Sequence, residues 1–295
     1  MLISFAEAID AFLSDSRTRG RLKPSTLRAY RKDLAAAAAA LPVLLTDLTG
    51  EALGRYLDGD IAPSTTARRL AALRVLYTWA VREGHLAADP SASLEAPRRP
   101  RRLPRPIRAE SDRQAVARAI AATAQPFRLA LTILRETGMR AGEVLALNLG
   151  DVVLDVGREA LHIRDPKNRT ERMVVLVPTA TPKSLRGLRA QVRARTGEPD
   201  HAPLFRSNRG TRLSYDALHY QWVQACVAAG LADDAGKPRY TLHQLRHTRA
   251  TELVEQGQRL EVVQRVLGHR DPRSTQGYAE IAEAQLRAAL ERGER

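Results

Sequence analysis

The 295-residue chain carries 47 lysines and arginines against 33 aspartates and glutamates, a formal net charge of +14, which is the balance of a protein that meets a polyanion. Hydrophobic residues make up 44% and aromatics only 4%, so the expected core is built of Leu, Val and Ala, chiefly in helices, and the length suits two domains. A single cysteine, Cys226, excludes an internal disulfide framework; no basic-then-apolar leader opens residues 1–20 and no run reaches the roughly 20 apolar residues of a membrane span, so a cytoplasmic, nucleoid-associated protein without a membrane partner is expected.

Four helices are predicted in the first 95 residues. Ser4 is placed to cap a helix with apolar positions Phe5, Ile9, Phe12 and Leu13. Pro24-Ser25-Thr26 opens a second, with Leu27, Tyr30 and Leu34 on one face and Arg28, Arg31 and Lys32 on others. Thr49-Gly50-Glu51 opens a third around Leu53, Tyr56 and Leu57, and Pro63-Ser64-Thr65 a fourth. The fourth carries the stripe Leu70, Leu73, Leu76, Tyr77 and Trp79, with Arg68, Arg69 and Arg74 off it. Residues 96–108, APRRPRRLPRPIR, hold four prolines and six arginines, including Arg98, Arg99, Arg101 and Arg102, and no acid. Such a stretch forms neither a regular helix nor a central strand. It reads as an extended linker whose charge suits a phosphate backbone.

Residues 109–295 form the second predicted domain, with helices over 112–124, 126–137, 181–195 and 214–229. Between them, Val152-Val153-Leu154, Ala160 to Ile163 and Arg172 to Val177 are short β-prone runs separated by Gly157 and by Asp165-Pro166-Lys167-Asn168. The expected fold is therefore mainly α with a small antiparallel β-sheet in the second domain. Arg206, Arg209 and Arg212 are further candidates to touch a phosphate backbone.

The stretch from Tyr240 to Tyr278 gathers His243, Arg246, His247, His269 and a terminal tyrosine, Tyr278. Leu253, Val254, Leu260, Val262, Val263, Val266 and Leu267 recur at helical spacing around Gln256-Gly257-Gln258, which predicts two short helices and a turn; Gly268 suits a left-handed cap ending the second. A phenol, with a pKa near ~10, needs help to act as a nucleophile at neutral pH. Arginine forks match the non-bridging oxygens of a phosphodiester, and histidines can donate to them or take the phenol proton. His243 and His247 stand at the i, i+4 spacing of a zinc site, but position 244 is Gln rather than the Glu of HExxH and no third ligand is apparent; no metal is expected.

Three groups of residues here resemble the boxes of the tyrosine recombinases, the lambda-integrase and Xer-type family. They are Leu242-His243-Gln244-Leu245-Arg246-His247-Thr248, Val266-Leu267-Gly268-His269, and the run Ser274 to Tyr278. Thr137-Gly138-Met139-Arg140-Ala141-Gly142-Glu143-Val144-Leu145-Ala146-Leu147 is similar to that family's first box, TGxRxxELxxL. The four N-terminal helices resemble its core-binding, SAM-like domain, and the β-prone runs its hairpin whose turn carries a lysine. Lys167 aligns best with that lysine, although Pro166 and Asn168 stand where the family usually has glycine; Arg164 and Arg169 are the competitors.

The resemblance implies a two-domain, C-shaped DNA clamp of residues 1–95 and 109–295 joined by the linker, with Arg28, Arg31, Lys32, Arg68, Arg69 and the linker arginines as candidate DNA contacts. It implies a site-specific recombinase in which Tyr278 forms a 3′-phosphotyrosine and Lys167 is the general acid. Arg140 and Arg246 clamp the phosphate, His243 and His269 donate to it, His243 is a candidate base, and Glu143 supports Arg140 or a catalytic histidine. Neither ATP nor a metal cofactor is required. Paired sites on double-stranded DNA, a Holliday junction and a tetramer linked through the C-terminal tail are the implied partners. No segment of the kind that binds accessory arm sites precedes the first helix, which favours a simple Xer-like form. Rival readings are a type IB topoisomerase, a non-catalytic DNA-binding regulator on the same fold, and a metal nuclease.

Overall fold

The computed structural model describes residues 3–20, 22–59, 61–98, 103–165, 170–268, 277, 278 and 280, with only the backbone of Ser25, Asp165 and Thr170. The chain divides into two compact units, Met1–Arg101 and Arg102–Arg295, the division falling inside the Pro/Arg-rich stretch.

In the first unit, α1 (Phe5–Thr18), α2 (Pro24–Ala38), α3 (Gly50–Leu57) and α4 (Pro63–Arg82) start where cap residues or proline allow. Ser4 Oγ accepts from the Glu7 amide at 3.2 Å, and Glu7 accepts from the Ser4 amide at 2.9 Å. This reciprocal box satisfies amides that a helix start leaves without partners. The core forms from Phe5, Phe12, Leu34, Leu53, Leu73 and Tyr77, each apolar side chain contributing about 1.5–3 kcal/mol when fully buried.

The second unit contains α5 (Glu110–Ala122), α6 (Phe127–Thr137) and α7 (Ala141–Ala146), then strands β1 (Val152–Val153), β2 (Ala160–Asp165) and β3 (Thr170–Val175). It continues with α8 (Pro182–Arg193), α9 (Tyr215–Ala228), α10 (Leu242–Glu255) and α11 (Leu260–Leu267). The sheet is antiparallel in the order β1-β2-β3. Val152 pairs with Leu161, Ala160 with Val175, and Asp165 with Thr170. The last pair closes a hairpin whose connecting residues, 166–169, lie outside the described set together with Lys167.

The core of this unit runs through Leu131, Ile133, Val144, Leu161, Phe205, Trp222 and Leu245. The Trp222 indole donates to the Tyr240 carbonyl at 2.7 Å, fixing the approach to α10. The end of the Pro/Arg-rich stretch is more than a spacer: Ile107 is buried in this core, and its amide donates to Thr248 Oγ1 of α10 at 2.9 Å. Among the described residues no helix is long and apolar enough to cross a membrane.

Candidate active site

Four segments distant in sequence supply the site: the α6–α7 turn, β3, α10, and the end of α11 with Tyr278. Gly138 closes α6 with φ +70°, a left-handed conformation that costs a side chain about 1–2 kcal/mol. That turn releases Arg140 to the position just before α7. Arg140 donates through Nη1 to Glu143 Oε1 at 2.8 Å, and its amide donates to Glu143 Oε2 at 2.9 Å. The side chain stays half in water. Glu143 thus holds both the amide and the guanidinium of Arg140.

Arg246 projects from α10 into the protein and is 2% exposed. It donates to the Gly138 carbonyl at 2.8 Å and to the Leu267 carbonyl at 2.9 Å, so its charge is held by the ends of α6 and α11, where carbonyls lack helical partners. Burial, and then the positive charge of Arg140, lowers its pKa to about 10; it remains cationic at neutral pH.

His243 and His247 lie one turn apart on the same helix, ring centroids 4.5 Å apart and edge to face. His247 Nδ1 is 2.8 Å from the Tyr278 hydroxyl. Burial, then His243 and Arg246, depresses His247 to about 4. His243 is more open to solvent, and desolvation followed by Arg246 and Arg140 lowers its pKa too. Both imidazoles are therefore neutral near pH 7. A neutral His247 accepts the phenol proton only with its own hydrogen on Nε2.

Tyr278 is 2% exposed and packs with Ala250, Val263 and Leu267. Burial raises its pKa while Arg246 and Arg140 pull it down. The phenol is thus protonated at rest, in a field prepared to receive a phenolate.

His269 and Lys167 lie outside the described residues, as do Arg99, Arg101 and Arg102. Arg28, Arg31 and Lys32 are exposed along α2, and Arg98 is exposed. Arg68 has a structural task that the sequence conceals: it grips the nearly buried Asp33 with two hydrogen bonds of 2.7 and 2.8 Å. Arg69 lies over the Tyr56 ring at 5.3 Å. Arg206 pairs with Glu198 at 2.5 Å. Arg212 caps α7, donating to the Leu145 and Leu147 carbonyls at 2.9 and 3.0 Å. Arg209 is exposed, as is the rest of Arg212.

Sequence reasoning left two residues without a role. The sequence assigns His247 no role of its own among the histidines, yet it meets the phenol. In the sequence Arg172 marks the returning strand and the spacing from Lys167, yet it reaches both Glu143 and the end of α11. Among the described residues no group of three or more His, Cys, Asp or Glu side chains is arranged to hold a metal ion.

A helical scaffold that delivers a tyrosine to arginines and histidines from separate segments defines the class: a site-specific DNA recombinase of the tyrosine type. Residues 111–285 match the phage integrase family, and residues 9–84 match the phage integrase N-terminal SAM-like domain. The chain belongs to the phage integrase family. It is 34% identical to the tyrosine recombinase XerC of Mycobacterium bovis over 283 residues, covering 90% of this chain and 91% of that protein. Among solved structures it is similar to a lambda integrase dimer bound to a COC' core site, with TM-score 0.69 and 23% identity over 94% of this chain and 77% of that one. It is also similar to a lambda integrase tetramer bound to a Holliday junction, with TM-score 0.68 and 21% identity over 92% and 78%. These likenesses favour neither a topoisomerase nor a non-catalytic regulator.

Proposed function

We propose that this recombinase acts on paired sites in double-stranded DNA and that Tyr278 is its nucleophile. The Tyr278 oxygen attacks the scissile phosphorus. A Tyr278 Oη–P bond forms as the P–O5′ bond breaks, giving a 3′-phosphotyrosine and a free 5′-hydroxyl. The phenol proton passes to the imidazole pair of α10. His247 is the member hydrogen-bonded to the phenol, while His243, the base candidate suggested by the sequence, is the more open and suits donation to a non-bridging oxygen. Lys167 supplies the proton taken up by the leaving oxygen. Arg140 and Arg246, with His269, balance the charge that builds on the phosphorane. A 5′-hydroxyl from another strand then reverses the step, and two successive exchanges pass through a Holliday junction. The phosphotyrosine conserves the energy of the broken bond, so the cycle consumes no ATP.

Tyr278 and Arg246 are each 2% exposed in the free chain, so the segment bearing Tyr278 shifts before a phosphate reaches them. Docking of the C-terminal tail on a neighbouring protomer in a DNA-bound tetramer is the event that moves it. Arg28, Arg31, Lys32 and Arg98 are exposed and available to meet phosphates.

What carries the assignment is the 2.8 Å bond between Tyr278 and His247, made directly beside the buried Arg246. Tyr278→Phe should bind DNA like the parent and trap none of it in an SDS-stable adduct. An adduct that persists in this variant identifies another nucleophile.

A further inference from the structure

Arg172 stands on β3 opposite Ile163, and its guanidinium joins three segments of the site. Nη2 donates to Glu143 Oε2 at 2.8 Å, and Nη1 donates to the Val266 carbonyl at 3.0 Å. The group also lies against Gly268, where an added Cβ would come within 2.6 Å of Arg172 Cζ. The side chain is 21% exposed.

Two consequences follow from this geometry. The first concerns charge. Glu143 is shared, one oxygen on Arg140 Nη1 and the other on Arg172 Nη2. A carboxylate facing Arg140 alone would neutralise it; divided between two guanidiniums, it leaves the trio one net positive charge for an incoming phosphate. The second concerns register. Val266 and Leu267 are consecutive carbonyls in the last turn of α11, and Arg172 and Arg246 take one each. The same two arginines reach the first box, Arg246 at the Gly138 carbonyl and Arg172 at Glu143. They act as parallel struts between the end of α11 and the turn that carries Arg140.

We propose that Arg172 is a positioning residue for strand cleavage: through Glu143 it orients Arg140 and keeps its charge available, and through Val266 and Gly268 it fixes the end of α11. This rests on the assignment of Arg140 to the scissile phosphate. Arg172 itself touches no DNA in this scheme.

The test uses the full-length chain and a nicked duplex carrying the site recovered from DNA trapped by the parent protein in SDS-stable adducts. Arg172→Gln should bind a half-site with the affinity and salt dependence of the parent and form adduct about 30-fold or more slowly in single turnover. Arg172→Lys keeps the charge, but one ammonium cannot serve Glu143 and Val266 together; it should be slowed about 10-fold at an unchanged melting temperature, and it decides the matter if the Gln variant folds poorly. In a Glu143→Gln background, Arg172→Gln should add no more than about 3-fold, the share carried by Val266 and Gly268, because the carboxylate through which it acts on Arg140 is already gone. A purely architectural arginine would instead give defects that multiply. Parental cleavage by Arg172→Lys, or multiplying defects in the double variant, overturns the proposal. A parent protein that traps no DNA at all removes the recombinase assignment itself, whereas a parent that traps DNA while the Arg172 variants keep pace removes only the role of Arg172.

Discussion

His247 meets opposing demands. Its Nδ1 lies 2.8 Å from a buried phenol, yet its pKa of about 4 makes it a weak base in the free protein. Burial is the largest cause and Arg246 contributes; a phosphodiester settling against the arginines opposes that part of the depression and strengthens the base when substrate is in place. His247→Gln can still hydrogen-bond Tyr278 but cannot carry its proton, so adduct formation should slow by roughly 10²–10⁴-fold, the usual worth of a general base. A change of only a few-fold would move the base role to His243. The same depression has a consequence for folding. The unfolded chain protonates this imidazole near its ordinary value of about 6.5, above the folded pKa of about 4. Its contribution to stability is thus fully present above about pH 6.5 and is lost as pH falls towards 4; for a half-buried ring it is on the order of 1–3 kcal/mol. Between pH 7 and pH 4.5, thermal melts of the parent should lose more than those of His247→Gln. Parallel curves would show that the ring is protonated equally in both states.

At the level of elements, the end of α11 concentrates the constraints. Gly268 has φ +66°, and the space where a Cβ would go is filled by Arg172. Gly268→Ala therefore meets two costs: about 1–2 kcal/mol of left-handed backbone strain, and displacement of a guanidinium tied at both ends. The expected result is a melting temperature lower by several degrees together with slower cleavage; an alanine variant that cleaves at the parental rate would mean that the end of α11 tolerates movement. The glycine and the helix before it were legible in the sequence, because capping and apolar periodicity are local properties. So were the helix starts at Ser4, Thr49 and Ser214, whose side chains accept from amides three residues on, and at Pro63, which opens α4 at its first position without a side-chain cap. Arg172 was not legible, because its partners Glu143 and Val266 lie 29 and 94 residues away. Arg68 looked like a DNA contact for a related reason: a charge off the apolar stripe looks free until the fold brings Asp33, 35 residues away, beneath it. Local pattern specifies helices and boxes, whereas long-range pairing decides which arginines remain unspent.

For the whole molecule, the central question is what keeps a single protomer from cutting DNA. The described state already restrains it, since Tyr278 and Arg246 are covered and the phenol is protonated. Residues 281–295 lie outside the described set, but the sequence after Tyr278 is informative. Residues 280–291, EIAEAQLRAALE, favour helix throughout, with Ile281, Leu286 and Leu290 as the large apolar positions. An isolated helix this short is marginal in water, so it needs a surface to dock on. Packing on its own domain would satisfy the helix and leave each protomer independent. Docking on a neighbour, in a closed ring of identical contacts, would instead tie the position of Tyr278 to the presence of that neighbour, because the tail begins directly after the proposed nucleophile. A chain ending at Ala279 separates these arrangements. With docking on a neighbour, it should bind a single half-site like the parent, lose cooperative binding to a full site, and lose strand exchange. A separate peptide of residues 280–295 should then restore part of the activity. With docking on its own domain, the truncated chain should lose stability, while its binding to full sites stays as cooperative as the parent's. Recombination of two sites by the truncated chain at the full-length rate would show that the tail has no part in restraining Tyr278, leaving burial of the phenol beside His247 as the restraint.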